Sequence, residues 1–207
     1  VVEIEKGICF YAVDYLFQKI KESKKECKLK ISYLEIYNET VIDLFNGNIN
    51  NNNNTNSKGL MIMEDNIRGV VVPDLTEYTV DNTKEMVKLI TEGNKRRTMA
   101  ATNQNQFSSR SHAILQISLE QKEKLKDLKQ EILYSKFLVV DLAGSERLSE
   151  KNSKRVQEGS NINKSLLSLG NCINILSDLS KKGCFIPYRD SKLTRLLKDS
   201  LGGNIMT

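Results

Sequence analysis

The sequence has no tryptophan, a single histidine, two prolines and four cysteines in 207 residues. Cys9, Cys27, Cys172 and Cys184 show no C-x-x-C spacing and no Cys/His cluster, so neither a zinc site nor a disulfide framework is indicated, and a reducing, intracellular setting fits. No apolar run approaches the length of a membrane span. The opening residues, VVEIEKGICFYAV, lack the basic segment and apolar core of a secretion signal. They also lack an initiator methionine, and the chain ends just after a Gly-Gly turn, so a fragment of a larger domain is expected.

What remains is an ordinary globular composition, 39% apolar and 28% charged, in a chain long enough for one domain with a substantial core. The net charge of +5 favours acidic partners without choosing among nucleic acid, membrane and protein. Ile8, Ala12, Tyr15, Leu16 and Ile20 recur at helical spacing, which predicts a helix over 7–21. KLKISYLEIYN at 28–38 reads as a buried strand and NGNINNNNNTNS at 46–57 as a low-complexity loop insertion. GVVVPDL at 69–75 is a short strand. Asn82 with Glu85 resembles a capping box, opening a helix through Arg97.

The stretch 98–111 is polar and reads as a loop. Alternation at Ala113, Leu115, Ile117 and Leu119 predicts a strand. FLVV at 137–140 reads as a second strand, buried on both faces, with the charged segment 120–131 between them as an exposed connection. Ile162, Leu166, Leu169, Ile173 and Leu176 mark a long helix, and a last helix over 193–201 follows Pro187. Alternating strands and helices place the chain in the α/β class.

Two loops carry the chemistry. Asp141 ends an apolar strand, the usual position of a ligand group in an α/β sheet, where a carboxylate can hold magnesium directly or through water. In the same DLAGSE string, Gly144 can offer a backbone N–H to a terminal phosphate and Glu146 can order a water. Upstream, NQFSSRSH at 105–112 presents two hydroxyls and a guanidinium just before a strand. A hydroxyl is a neutral magnesium ligand, and arginine can lock a carboxylate in a bidentate pair.

With these motifs the chain resembles a kinesin motor domain. N-x-x-SSRSH is similar to the family's switch I and DLAGSE to its switch II. NINKSLLSLGNCI at 161–173 resembles the relay helix, IPYRDSKLTRLLKDSLGGN at 186–204 the loop and helix that follow, and SYLEIYNE at 32–39 a buried strand of the family. KGLMIM, GNKRRT and the ending KLTRLLKDSLGGN look most like the kinesin-8 subfamily. The SH after SSR and the YRDSKLTRLL segment set the chain apart from myosin, whose switch loops are otherwise alike.

The resemblance implies a P-loop-type α/β fold, a central mixed sheet with helices on both faces, incomplete at both ends. It implies a microtubule-stimulated ATPase that uses ATP and Mg2+. Ser109 would ligate magnesium, Ser108 would contact the γ-phosphate, and Asn105 would line the nucleotide site. Asp141 would hold magnesium through water and Gly144 would donate its N–H. Arg110 would pair with Glu146 to close the site around the lytic water. Asn163 would couple nucleotide state to the track, and Lys164, Arg189, Lys192 and Arg195 would meet acidic tubulin. Expected partners are microtubules, with no nucleic acid and no membrane, and a second copy through a stalk outside this chain. The expected location is the cytoplasm, on cytoskeletal or spindle microtubules.

No G-x-x-x-x-G-K-[ST] string is present. In the family that phosphate loop would precede Val1, so a truncated motor is expected over a degenerate pseudo-motor that binds microtubules without turnover, and this chain alone should not hydrolyse ATP. A basic nucleic-acid-binding domain is the remaining alternative. It lacks support because Tyr188 is the one aromatic beside the basic strip of Arg189, Lys192 and Arg195, and no recognition-helix motif is present. His112 is expected to be a hydrogen-bonded structural histidine, not a general base.

Overall fold

The computed structural model describes residues 7–23, 25–46, 59–101, 107–124, 130–145 and 153–202, with the side chains at 99–101, 107–108, 123–124, 130–131 and 153–158 excepted. The Asn-rich tract beyond Asn46 lies outside the described residues. The elements are helices α1 (Ile8–Ser23), α2 (Thr83–Ala101), α3 (Ser153–Ser177), α4 (Lys192–Leu196) and α5 (Lys198–Leu201), with strands β1 (Glu26–Tyr37), β2 (Thr40–Asp43), β3 (Met63–Asp65), β4 (Gly69–Val71), β5 (Tyr78–Thr79), β6 (His112–Lys124) and β7 (Gln130–Asp141). One sheet runs β2-β1-β6-β7 with β5 also on β1, and β3 with β4 forms a separate hairpin. Every described pairing is antiparallel, so these strands supply the antiparallel part of the expected sheet.

Side-chain alternation along β1 explains why both faces are covered. Leu29, Ile31 and Tyr33 point into one core with Val13 of α1 and Met86 and Ile90 of α2. Leu34 and Ile36 point into the opposite core with Val70 of β4 and Leu193 and Leu196 of α4. A strand buried on both sides needs apolar residues at both parities, which is how KISYLEIY reads. Each fully buried Ile or Leu here contributes roughly 2 kcal/mol by area removed from water. Asn82 caps α2 by accepting the Glu85 N–H (2.9 Å), while Glu85 reaches back to the N–H of Asp81 (3.3 Å).

Several expectations are corrected. Helix α2 continues four residues past Arg97, to Ala101, because 98–101 is TMAA, with no proline or glycine to stop it and two alanines, the strongest helix formers. The charged segment 120–131 is strand at both ends, not connection. Glu120 pairs with Tyr134 and Lys122 with Ile132, and the charges are absorbed laterally by the ion pairs Lys30–Glu120 (2.9 Å) and Glu26–Lys122 (3.0 Å) on β1. FLVV is not buried on both faces: β7 lies at the end of the strand order and Phe137 is 49% exposed. The last helix is two short ones meeting at Leu197.

Among the described residues no helix is long and apolar enough to cross a membrane. All four cysteines are free.

Candidate functional site

The register of β6 and β7 places Ala113 opposite Asp141, so the loops before β6 and after β7 leave the sheet side by side. The first loop is a 3-10 turn, Phe107–Arg110. The N–H of Gly144 donates to the carbonyl of Ser109 (2.8 Å), tying the loops together at the backbone. Ser109 is exposed and Arg110 half-buried, while Asp141 is exposed at the strand end. The loop that carries Ser109 and Arg110 and the loop that carries Asp141 and Gly144 are therefore neighbours at the sheet end. Asn105, Glu146 and the side chain of Ser108 lie outside the described residues.

Beneath this junction is an ion cluster that the sequence did not reveal. Arg97, on the last turns of α2, donates through Nη1 to Asp141 Oδ2 (2.5 Å) and through Nη2 to the Ser111 carbonyl (3.1 Å). Its Nε lies 3.6 Å from Glu35 Oε1, which also accepts the Ser111 hydroxyl (2.5 Å). Arg97, Glu35 and Ser111 are 9%, 7% and 0% exposed, whereas the Asp141 side chain is 68% exposed. A guanidinium this deep needs carboxylate partners: Asp141 bonds it directly from the strand end, and Glu35 adds a second charge from inside an apolar strand. The available signal was that carboxylate in SYLEIY, a charge where both parities are core.

His112 is buried and joins three elements. Its Nδ1 accepts the N–H of Ala143 (3.0 Å) and its Nε2 meets Ser165 Oγ of α3 (2.7 Å). The Ser165 hydroxyl donates to the Ile162 carbonyl (2.7 Å), so Nε2 carries the proton and donates to Ser165. Burial, then the nearby Arg97 charge, pushes the imidazole pKa down from 6.5 to about 4. The structural assignment of this histidine holds, because its acceptor nitrogen is already occupied by a backbone N–H.

The basic residues are less uniform than expected. Lys192 and Arg195 belong to α4, but Arg189 sits outside it in the 3-10 turn Tyr188–Asp190. Ser191 is the cause: its hydroxyl accepts the Thr194 N–H (3.1 Å) and starts the helix after Arg189. Arg189 is well exposed, while Lys192 and Arg195 are half-buried, so the strip is a turn plus one face of a short helix. Asn163 and Lys164 are exposed on α3.

Among the described residues no group of three His, Cys, Asp or Glu side chains could form a metal cage. Asp141 and Ser109 place one exposed carboxylate and one exposed hydroxyl at this end of the sheet, oxygen donors of the kind a hard divalent cation takes.

A family model described as "Kinesin motor domain" matches residues 2–207. Similar curated proteins include "Kinesin-like protein KIF18A" of Mus musculus, 47% identical over 98% of this chain and 22% of its own length. "Kinesin-like protein KIF19" of Homo sapiens is 44% identical over 98% of the chain and 20% of its length. "Kinesin-like protein KIP3" of Saccharomyces cerevisiae is 45% identical over 98% and 25%. These relatives belong to the kinesin-8 subfamily, the one that the sequence resembles. The chain spans about a fifth to a quarter of the length of the curated relatives it matches.

Proposed function

The chain belongs to the kinesin motor domain family, and we propose that it serves as the nucleotide-sensing and track-binding part of a microtubule-based motor ATPase. The observation that carries this reading is the direct joining of the two candidate loops, Gly144 N–H to Ser109 C=O, at the strand end where Asp141 sits. The donor set fits magnesium bound to a nucleotide phosphate. Ser109 and, through water, Asp141 would hold the ion, which when bound neutralises phosphate charge.

Ser108 contacts the terminal phosphate in this reading, Asn105 lines the nucleotide site, and Gly144 donates its N–H once it leaves the Ser109 carbonyl. Arg110 pairs with Glu146 and keeps the carboxylate aimed at the water it orders. Arg97 sets where Asp141 stands, since its guanidinium is anchored on buried Glu35 and Ser111. His112 connects the Ala143 backbone to α3, so a shift of the second loop reaches the helix that carries Asn163 and Lys164. Lys164, Arg189, Lys192 and Arg195 meet the acidic track, which locates the protein on cytoskeletal microtubules in the cytoplasm.

The test is microtubule-stimulated ATPase of the full-length protein and its Glu146→Ala variant. Loss of turnover by about 100-fold or more with nucleotide binding retained is the expected result for a residue ordering the lytic water. Normal stimulated turnover in the variant would sink the assignment.

A further inference from the structure

The turn between β1 and β2 consists of two non-glycine residues in the left-handed region, Asn38 at φ 50° and Glu39 at φ 58°. Tyr37 and Thr40 pair across it, making a two-residue hairpin of the I′ kind, in which the second position strongly favours glycine. Asparagine tolerates such a backbone. Glutamate does so poorly, and strain that persists at a side chain with an alternative points to a role for that side chain.

Both side chains leave the hairpin and bind helices. Glu39 Oε2 accepts the backbone N–H of Lys192 (2.9 Å), the first residue of α4. That N–H is one of the donors a helix start leaves without an intrahelical partner, and Ser191 satisfies a different one, at Thr194. Asn38 Oδ1 accepts the side-chain N–H of Asn161 on α3. The turn is itself fixed, because it closes the strand buried between both cores, with Ile36 at 2% and Val41 at 1% exposure on either side. One rigid corner of the sheet thus holds α3 two residues from Asn163 and α4 at Lys192.

We propose that the Asn38–Glu39 turn is a positioning brace that sets α3 against α4, aligning Asn163 and Lys164 on one helix with Lys192 and Arg195 on the other for the microtubule. The inference rests on the microtubule reading above. It explains why the residue that the backbone favours is absent: glycine would relax the turn and release α4.

Glu39→Gly tests it, because the substitution suits the turn while deleting the brace. In the full-length protein, thermal stability should change little, since relief of the left-handed backbone offsets the lost helix-start hydrogen bond. The KM for microtubules in the ATPase assay should rise about five-fold, the scale of a lost helix-start hydrogen bond, with kcat and basal turnover within about two-fold. Glu39→Gln keeps an acceptor and should recover most of the KM. Hydrogen exchange at the Lys192 amide should speed up in Glu39→Gly and not in Glu39→Gln. Wild-type protein that fails to bind microtubules would refute the functional reading. Wild-type binding with unchanged KM in Glu39→Gly would instead overturn the brace alone, as would a stability loss with kcat and KM changed together.

Discussion

His112 makes the stability of this fold depend on pH in a window that can be worked out in advance. The imidazole is 3% exposed and its Nδ1 accepts the Ala143 N–H, so protonation both charges a buried ring and ends that hydrogen bond. Its pKa is pushed down from 6.5 to about 4, which corresponds to about 3 kcal/mol. For a base whose folded pKa is depressed, the unfolded chain takes up the proton first. The contribution is therefore fully present above pH 6.5 and is lost as pH falls toward 4. Urea unfolding of wild type and His112→Gln at pH 7 and pH 4.5 isolates it, since the carboxylates common to both cancel in the difference. Wild type should lose about 2.5 kcal/mol more than the variant between those two pH values. Because these 207 residues hold one histidine, its ring resonance in an NMR titration of this chain reads the midpoint directly. Parallel stability profiles, or a midpoint near 6.5, would refute the buried, acceptor-bound imidazole and with it the link from Ala143 to α3.

Two further expectations are independent of that one. Gly93→Ala should destabilise by about 1–3 kcal/mol despite alanine's better helix propensity, because the new Cβ runs into the edge of the Tyr33 ring. That ring cannot swing away: its hydroxyl bonds Asn94 (2.8 Å) and its edge meets Phe45; equal or greater stability in chemical denaturation would contradict this. Lys192→Ala combined with Arg195→Ala should weaken microtubule co-sedimentation, with basal ATPase little changed and the wild-type difference shrinking as salt is raised. Lys192→Ala alone is the cleaner probe, since the Nε of Arg195 is buried and its side chain also packs; unchanged co-sedimentation in the double variant would remove these cations from the track site.

The elements most legible in the sequence were those whose pattern had one physical cause. KISYLEIY is apolar at both parities because both of its faces are covered, and the Ile162 to Leu176 spacing is long and regular enough to leave no competitor to helix. Sequence and structure part where a neighbour overrides local composition. Segment 120–131 reads as connection because it is charged, yet Glu120 and Lys122 pair sideways with Lys30 and Glu26 on β1, some ninety residues away. Phe137 looked buried because it is apolar, but β7 ends the described sheet. At the site, Ser109, Arg110, Asp141 and Gly144 were legible from their strings. Arg97 was not, because nothing local says that the second arginine of KRRT turns inward while Arg96 turns to the Leu44 and Phe45 carbonyls.

The groups assigned to phosphate and magnesium are, in this structure, engaged with the protein itself. Gly144 N–H is held by the Ser109 carbonyl, and Asp141 by Arg97. On the proposed reading, ligand binding exchanges the Gly144–Ser109 contact for a ligand contact while Arg97 keeps Asp141 in place, and a neutral backbone hydrogen bond of this kind is worth only about 0.5–1.5 kcal/mol net. Two arrangements of the loops are then separated by a few kcal/mol, the range in which a ligand's differential affinity can reverse their populations. The exchange does not stay local. Ala143, adjacent to Gly144, is bonded to His112 and through it to Ser165, so moving the Gly144 backbone off Ser109 either carries α3 along or breaks the Ala143–His112 hydrogen bond. Breaking it would leave a buried acceptor and a buried N–H unsatisfied, at a cost of about 1–3 kcal/mol for each group, more than the exchange itself. On the proposed reading, keeping that bond is what ties a contact formed at a phosphate to α3, the helix that carries Asn163 and Lys164.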